Sequence, residues 1–211
     1  MHNNFSSENF FDLHNFLYSD LFTSEIHVWD VVKKISPYLT SLFASGAIKG
    51  NYSENVFIHP SAFVDKTARI EGPTLILENV QIGFNALIHG NVILDNNVVV
   101  GTGAEVKNSV LLNTCKASHY NYVSDSLLGN GVRLGVGAVI VNKRVDRETI
   151  KIKVGKEKID TGLIKFGSII GDGSRVGANS VINPGTIIGK NSLVYPLESV
   201  FGLHAENEII K

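Results

Sequence analysis

The chain has 211 residues, 44% of them hydrophobic and 18% charged, with a formal net charge of −1. That balance excludes a disordered chain and gives no global field that would draw nucleic acid or an anionic membrane. A single cysteine, Cys115, excludes an intrachain disulfide and fits a reducing compartment, so a cytoplasmic location is expected.

The N-terminus carries Glu8 and Asp12 early and lacks a basic stretch followed by an apolar run, so it does not read as a signal peptide. No apolar stretch reaches the roughly 20 residues that span a bilayer, and no membrane insertion is expected. Residues 1–50 read as a helical cap region. Phe10, Leu13, Leu17 and Leu21 make one helical stripe, and Val28, Val32, Ile35, Leu39 and Leu42 make a second. Ser24 fits an N-cap for the second helix, and Pro37 should kink or split it. These helices should cover the first coil and exposed strand edges of the repeat region C-terminal to them. The density of Phe5, Phe10, Phe11, Phe16, Phe22 and Trp29 also fits a surface for docking another protein.

From Ile58 onward a period of six takes over. Ile58, Val64, Ile70, Ile76, Ile82, Ile88, Leu94, Val100, Val106 and Leu112 fall at six-residue intervals. The period returns in a new phase at Leu128, Leu134 and Ile140, then at Ile170, Val176, Ile182, Ile188 and Val194. Small or β-branched residues stand four places after the early aliphatics, as at Ala62, Ala68 and Ala86. Six residues are too few for a helical hairpin and too many for strand alternation. They fit one short strand plus a turn, three to a triangular coil, with the aliphatic residue inside and the small one in the corner. The expected fold is an all-β solenoid, a parallel β-helix of hexapeptide repeats, occupying 51–202, with 203–211 as a tail. A solenoid needs capping at its ends.

Two segments break the period. One is the phase slip between Leu112 and Leu128, and the other is 143–165, which carries eight Lys or Arg against four acids. Alternating Ile150, Ile152 and Val154 predict a strand or hairpin leaving the prism. A basic excursion from a rigid scaffold points to anionic groups on a ligand, phosphates above all.

His119 sits in the phase slip near Lys116, Tyr120 and Tyr122, where an imidazole could act as a general base near neutral pH. His59, His89 and His119 are spaced by five hexads, which moves each to a different face of a three-sided prism. They cannot converge on one metal within a chain, and no metal is expected. Cys115 has no neighbour in sequence that would activate it as a nucleophile.

The stretches Glu105–Ser109, Lys116–Ser126, Gly135–Asn142, Asp160–Asp172 and Asn183–Gly185 together resemble the acetyltransferase half of the bifunctional glucosamine-1-phosphate acetyltransferase/N-acetylglucosamine-1-phosphate uridylyltransferase family, over about 70–200. The resemblance implies a left-handed β-helix, a homotrimer with sites between subunits, and transfer of acetyl from acetyl-CoA to the amine of glucosamine 1-phosphate. It places the catalytic base at His119. It assigns sugar-phosphate contacts to Lys107, Tyr122, Asn142, Lys151 and His89, and coenzyme contacts to Val136, Ala178 and Lys165. His89 replaces a family arginine, Arg133 an asparagine, and Val136 an alanine. Helical residues stand where the family has its nucleotidyltransferase domain, which fits an acetyltransferase with a separate uridylyltransferase as partner, one acting on another amino sugar, or a chain that has lost activity. The rival readings are a non-catalytic sugar-nucleotide-binding or docking β-helix, and a hexapeptide acyltransferase for a nucleotide-linked amino sugar.

Overall fold

A computed structural model describes residues 5–23, 27–154 and 156–211. Among these residues, short parallel strands form three sheets of eight, eight and seven strands. Sheet A runs from Val56–Ile58 to Leu203–His204, sheet B from Phe63–Val64 to Ile209–Ile210, and sheet C from Arg69–Ile70 to Ser199–Val200. Each strand pairs with the one three hexads on, as Ile58 with Ile76 and Val64 with Ile82. The chain therefore winds a triangular prism, as the period predicts. Ile76, Leu94, Leu111, Leu128, Ile170 and Ile188 stack inside it. Burying one such side chain contributes about 1.5–3 kcal/mol. Where the inner corner holds a hydroxyl, the next coil satisfies it: Ser168 donates to the Thr186 carbonyl, Ser174 to Gly189 and Ser180 to Tyr195.

The register corrects the expected phase. Leu111, not Leu112, is the interior residue paired with Leu94. The corner at Asn108, with φ 42°, takes one residue fewer than its neighbours, and so does the corner at Asp125, with φ 50°. The slip is therefore two shortened corners on successive coils. The segment between them is regular, with Lys116–His119 paired to the strand Val99–Thr102 and Tyr122–Ser124 to Glu105–Lys107. The solenoid also continues beyond residue 202. Leu203–His204 pairs with Ile187–Ile188, and Ile209–Ile210 with Leu193–Val194, so the expected tail is the last coil.

Outside the prism, sheet A differs from a solvated face. Leu75, Ile93, Val110, Leu127, Ile169 and Ile187 form an in-register apolar column, and all are buried. The N-terminal region covers this side rather than the open end of the first coil. Phe5, Phe10, Phe11, Phe16, Phe22 and Trp29 are all buried in the layer it forms against the column, so these rings are core and not a free docking surface. Polar tethers hold the layer down. The Asp12 N–H donates to Asp172 at 2.6 Å, Asn130 donates to the Asp12 carbonyl at 2.8 Å, and the Lys190 ammonium donates to the Glu8 carbonyl.

The second stripe does form a helix, α1, Asp30–Ala44, which runs through Pro37 without a break. Ser24 lies outside the described residues. The first stripe does not form an α-helix. It gives two 3-10 turns, Ser7–Asn9 and Ser19–Phe22, and Leu17 is exposed. Apolar residues at Phe10, Phe11, Phe16, Tyr18, Leu21 and Phe22 are all buried, more than one face of a helix could place against a sheet. The basic excursion is an antiparallel hairpin, Lys151–Val154 with Glu157–Asp160. Its Ile150 and Ile152 join the same buried layer, while its Lys and Arg side chains are exposed. No described helix is long and apolar enough to cross a membrane.

Candidate functional site

His119 ends a strand of sheet B at the edge where the chain turns into sheet C. Tyr120 makes the turn in the left-handed region, with φ 50°, and the same edge uses Asn85, Gly103, Gly137, Asn179 and Leu197 at the equivalent place. Backbone bonds link this edge coil by coil: Tyr120 N–H to Thr102, Gly137 to His119, Asn179 to Val136, Leu197 to Ala178. His119, Val136 and Ala178 thus stand on successive coils of one edge. The imidazole is exposed, and no described residue bonds it.

Asn121 fixes the edge from within. It is buried, it accepts the His119 N–H at 3.0 Å, and it donates to the carbonyls of Gly135 at 2.7 Å and Ala138 at 3.1 Å. Sequence reasoning passed over it. The available signal was an amide at a corner position that holds alanine on the neighbouring coils, at Ala68, Ala86, Ala104 and Ala138.

Beside His119 lies a shallow groove of about 350 Å³, lined in part by Phe63, Gly83, Gly101, Thr102, Lys116 and Ser118. Its glycines are required by the fold, because a Cβ on Gly101 would run into the Ser118 backbone of the next coil. Bare backbone is therefore exposed along the groove floor.

Tyr122 opens the next strand, half-buried on the outer face of sheet C, between Glu105 and Val139. Lys107 is exposed on the same face, opposite Ser124. Two residues of strand, about 7 Å, separate its level from that of Tyr122. Tyr122 thus flanks the His119 edge, and Lys107 approaches from the far end of the face.

Two other expected contacts, His89 and Asn142, are already engaged. His89 places Nδ1 3.1 Å from Glu71 and Nε2 3.0 Å from Glu105. Arg69 adds a 2.8 Å ion pair to Glu71. The His89 hydrogen bond, helped by Arg69, holds the Glu71 carboxyl below its ordinary value. Asn142 donates to Asp125 at 2.6 Å and to Ser124 at 3.1 Å, and Asn108 donates to the other Asp125 oxygen at 2.7 Å. Its carbonyl accepts the Phe166 N–H at 2.9 Å. Asn142 therefore clamps the two feet of the basic hairpin, at the edge between sheets C and A. Lys151 and Lys165 are exposed on that excursion, and the structure does not bring them to His119 within one chain.

Cys115 is fully buried, and burial pushes its thiol far above the ordinary value, which removes it as a nucleophile near neutral pH. Among the described residues, no group of three or more His, Cys, Asp or Glu is arranged to hold a metal ion.

Comparison with known proteins gives the family of the repeat region. Residues 70–157 match the family described as GMPPB C-terminal domain, and residues 167–196 match Bacterial transferase hexapeptide (six repeats). A bifunctional sugar-1-phosphate nucleotidylyltransferase/acetyltransferase of Sulfurisphaera tokodaii is 33% identical over 157 residues, covering 72% of this chain and 39% of the relative. The bifunctional protein GlmU of Methanococcus vannielii is 31% identical over 155 residues, covering 71% of this chain and 37% of its own. The chain thus spans about two fifths of the length of these relatives. Among solved structures, the acetyltransferase domain of PglB from Neisseria gonorrhoeae in complex with acetyl coenzyme A aligns with 83% of this chain and 62% of its own, at 17% identity and a TM-score of 0.36.

Proposed function

We propose that this chain, a relative of the hexapeptide-repeat half of the bifunctional sugar-1-phosphate nucleotidylyltransferase/acetyltransferases, is an acetyl-CoA-dependent N-acetyltransferase for an amino-sugar phosphate, with glucosamine 1-phosphate the first acceptor to test. The observation that carries the reading is the unpartnered His119 imidazole on an edge beside a groove floored by glycine backbone.

The reaction is direct acyl transfer. The acceptor nitrogen attacks the thioester carbon, the C–N bond forms, and the C–S bond breaks to release the thiol. His119 takes the amine proton and returns it to the leaving sulfur. Such general-base assistance is worth about 10²- to 10⁴-fold. Tyr122 orients the sugar, and Lys107 supplies charge for its phosphate. Asn121 holds the His119 backbone in place. A homotrimer, with each His119 edge facing a neighbour's groove, would enclose the site and repeat it three times. In this reading the product feeds amino-sugar nucleotide synthesis.

One observation favours a second reading. His89 and Asn142 are already bound to carboxylates, so two of the expected phosphate contacts are satisfied within the chain. A non-catalytic β-helix that binds sugar nucleotides would tolerate that. The test is thiol release from acetyl-CoA by the purified chain across a panel of amine acceptors, glucosamine 1-phosphate and nucleotide-linked amino sugars included. Turnover with any member supports the transferase. Tight binding without turnover across the panel supports the module.

A further inference from the structure

The outer face of sheet B carries three cations stacked in register. Lys116 pairs with Arg133, and Arg133 with Arg175, on three successive coils. Adjacent strands lie about 4.8 Å apart, so the ladder spans about 10 Å. Like charges directly opposite one another across a sheet are destabilising, and here nothing offsets them. Among the described residues none of the three has a carboxylate partner, whereas Lys33, Arg69 and Arg144 each have one. The neighbours in register above and below are apolar, Val99 on one side and Leu193 on the other.

Beside the ladder runs a strip formed by Gly101, Ser118, Gly135 and Gly177, each next after the interior residue of its strand. None carries a side chain larger than a hydroxymethyl group. Side chains are excluded at Gly135 and Gly177 because a Cβ would strike the backbone of Ala178 and Pro196. The opposite border of the strip is the edge with His119, Val136 and Ala178. The result is a shallow channel with a cationic wall on one side and the unpartnered imidazole on the other.

We infer that the Lys116–Arg133–Arg175 ladder binds a pyrophosphate, so that a ligand lying along the glycine strip is anchored by two adjacent phosphates while its other end reaches His119. One phosphate would engage only part of a ladder about 10 Å long, because charge-assisted hydrogen bonds reach only about 2.7–2.9 Å. The pyrophosphate belongs either to a nucleoside-diphosphate-linked acceptor or to the coenzyme. What the ligand undergoes rests on the acetyltransferase reading, but its binding does not.

The experiment is calorimetric titration of the full chain at low salt, where screening is weakest, with inorganic pyrophosphate and with orthophosphate. It compares wild type with Arg133→Gln and Arg175→Gln, both exposed positions whose folding is checked by circular dichroism. Pyrophosphate should bind about tenfold tighter than orthophosphate, and each substitution should weaken it about tenfold, the worth of one charge-assisted hydrogen bond. Equal binding of the two anions, or unchanged pyrophosphate binding in both variants, overturns the inference. UDP and CoA, titrated in the same way, locate the source. Loss confined to UDP assigns the ladder to the acceptor, loss confined to CoA assigns it to the coenzyme, and no loss for either overturns it. Thiol release separates this from the transferase reading. A chain that binds pyrophosphate through the ladder without turnover retires the transferase and leaves the ladder. Turnover with both KM values unchanged in the variants does the reverse.

Discussion

His89 Nε2 lies 3.0 Å from Glu105 Oε1, joining two successive coils of sheet C, while its other ring nitrogen faces Glu71. The arrangement turns a position expected to grip phosphate into a bridge between carboxylates. It also leaves Lys107 as the exposed cation of that face nearest Tyr122.

The bridge has a pH signature. Glu71 has its folded value depressed, chiefly by the His89 hydrogen bond, so its contribution to stability is present above the ordinary value of 4.5 and is lost as the pH falls through the folded value. Thermal unfolding measured from about pH 6 to pH 3 should show wild type losing stability more steeply than His89→Ala below about pH 4.5. Parallel curves would show that the bridge contributes nothing, the usual result for an isolated exposed pair.

Asn121 is expected to serve both fold and site. Asn121→Ala leaves two carbonyls and the His119 N–H without their partner, which should cost about 1–3 kcal/mol in urea unfolding. Because the His119 backbone loses its anchor, kcat should fall more than acetyl-CoA binding does. A variant that loses stability but keeps kcat would make Asn121 a structural residue only.

Trp29 is the chain's one tryptophan and is 1% exposed, stacked on His27 at 4.4 Å and tilted against Phe5 at 4.9 Å. Its emission should be blue-shifted and should move red in the same transition in which circular dichroism reports loss of the sheets. Trp29→Ala should destabilise the chain by about 3–5 kcal/mol. Two separated transitions would mean that the aromatic layer and the solenoid unfold independently.

Much of this fold is legible in the residues, because a solenoid writes its coil length into the spacing of aliphatics such as Ile58, Ile76 and Leu94. The corners are harder to read. Asn108 and Asp125 stand at the two corners that are one residue short, and nothing local marks them, because full-length corners at Asn85 and Asn97 enter the same left-handed region. Leu112 keeps the six-residue count and so reads as interior, yet it faces the aromatic layer. The layer itself is visible as apolar density, but its target is not. Only the register shows that Leu75, Ile93 and Val110 form a second apolar face needing cover. At the site, the resemblance names His119, Val136 and Ala178, and the register is what sets them on one edge. It cannot reveal that Glu71 and Glu105 have taken His89, because pairs three hexads apart depend on which side chains share a column.

The sharpest test of His119 as the base is kcat for thiol release from acetyl-CoA with the best amine acceptor, for wild type beside His119→Ala, with the Kd for acetyl-CoA measured on both. Loss of about 10²- to 10⁴-fold in kcat at unchanged Kd is the predicted result. A His119→Ala chain that turns over at the wild-type rate would contradict it, and the base would have to be sought elsewhere on the solenoid.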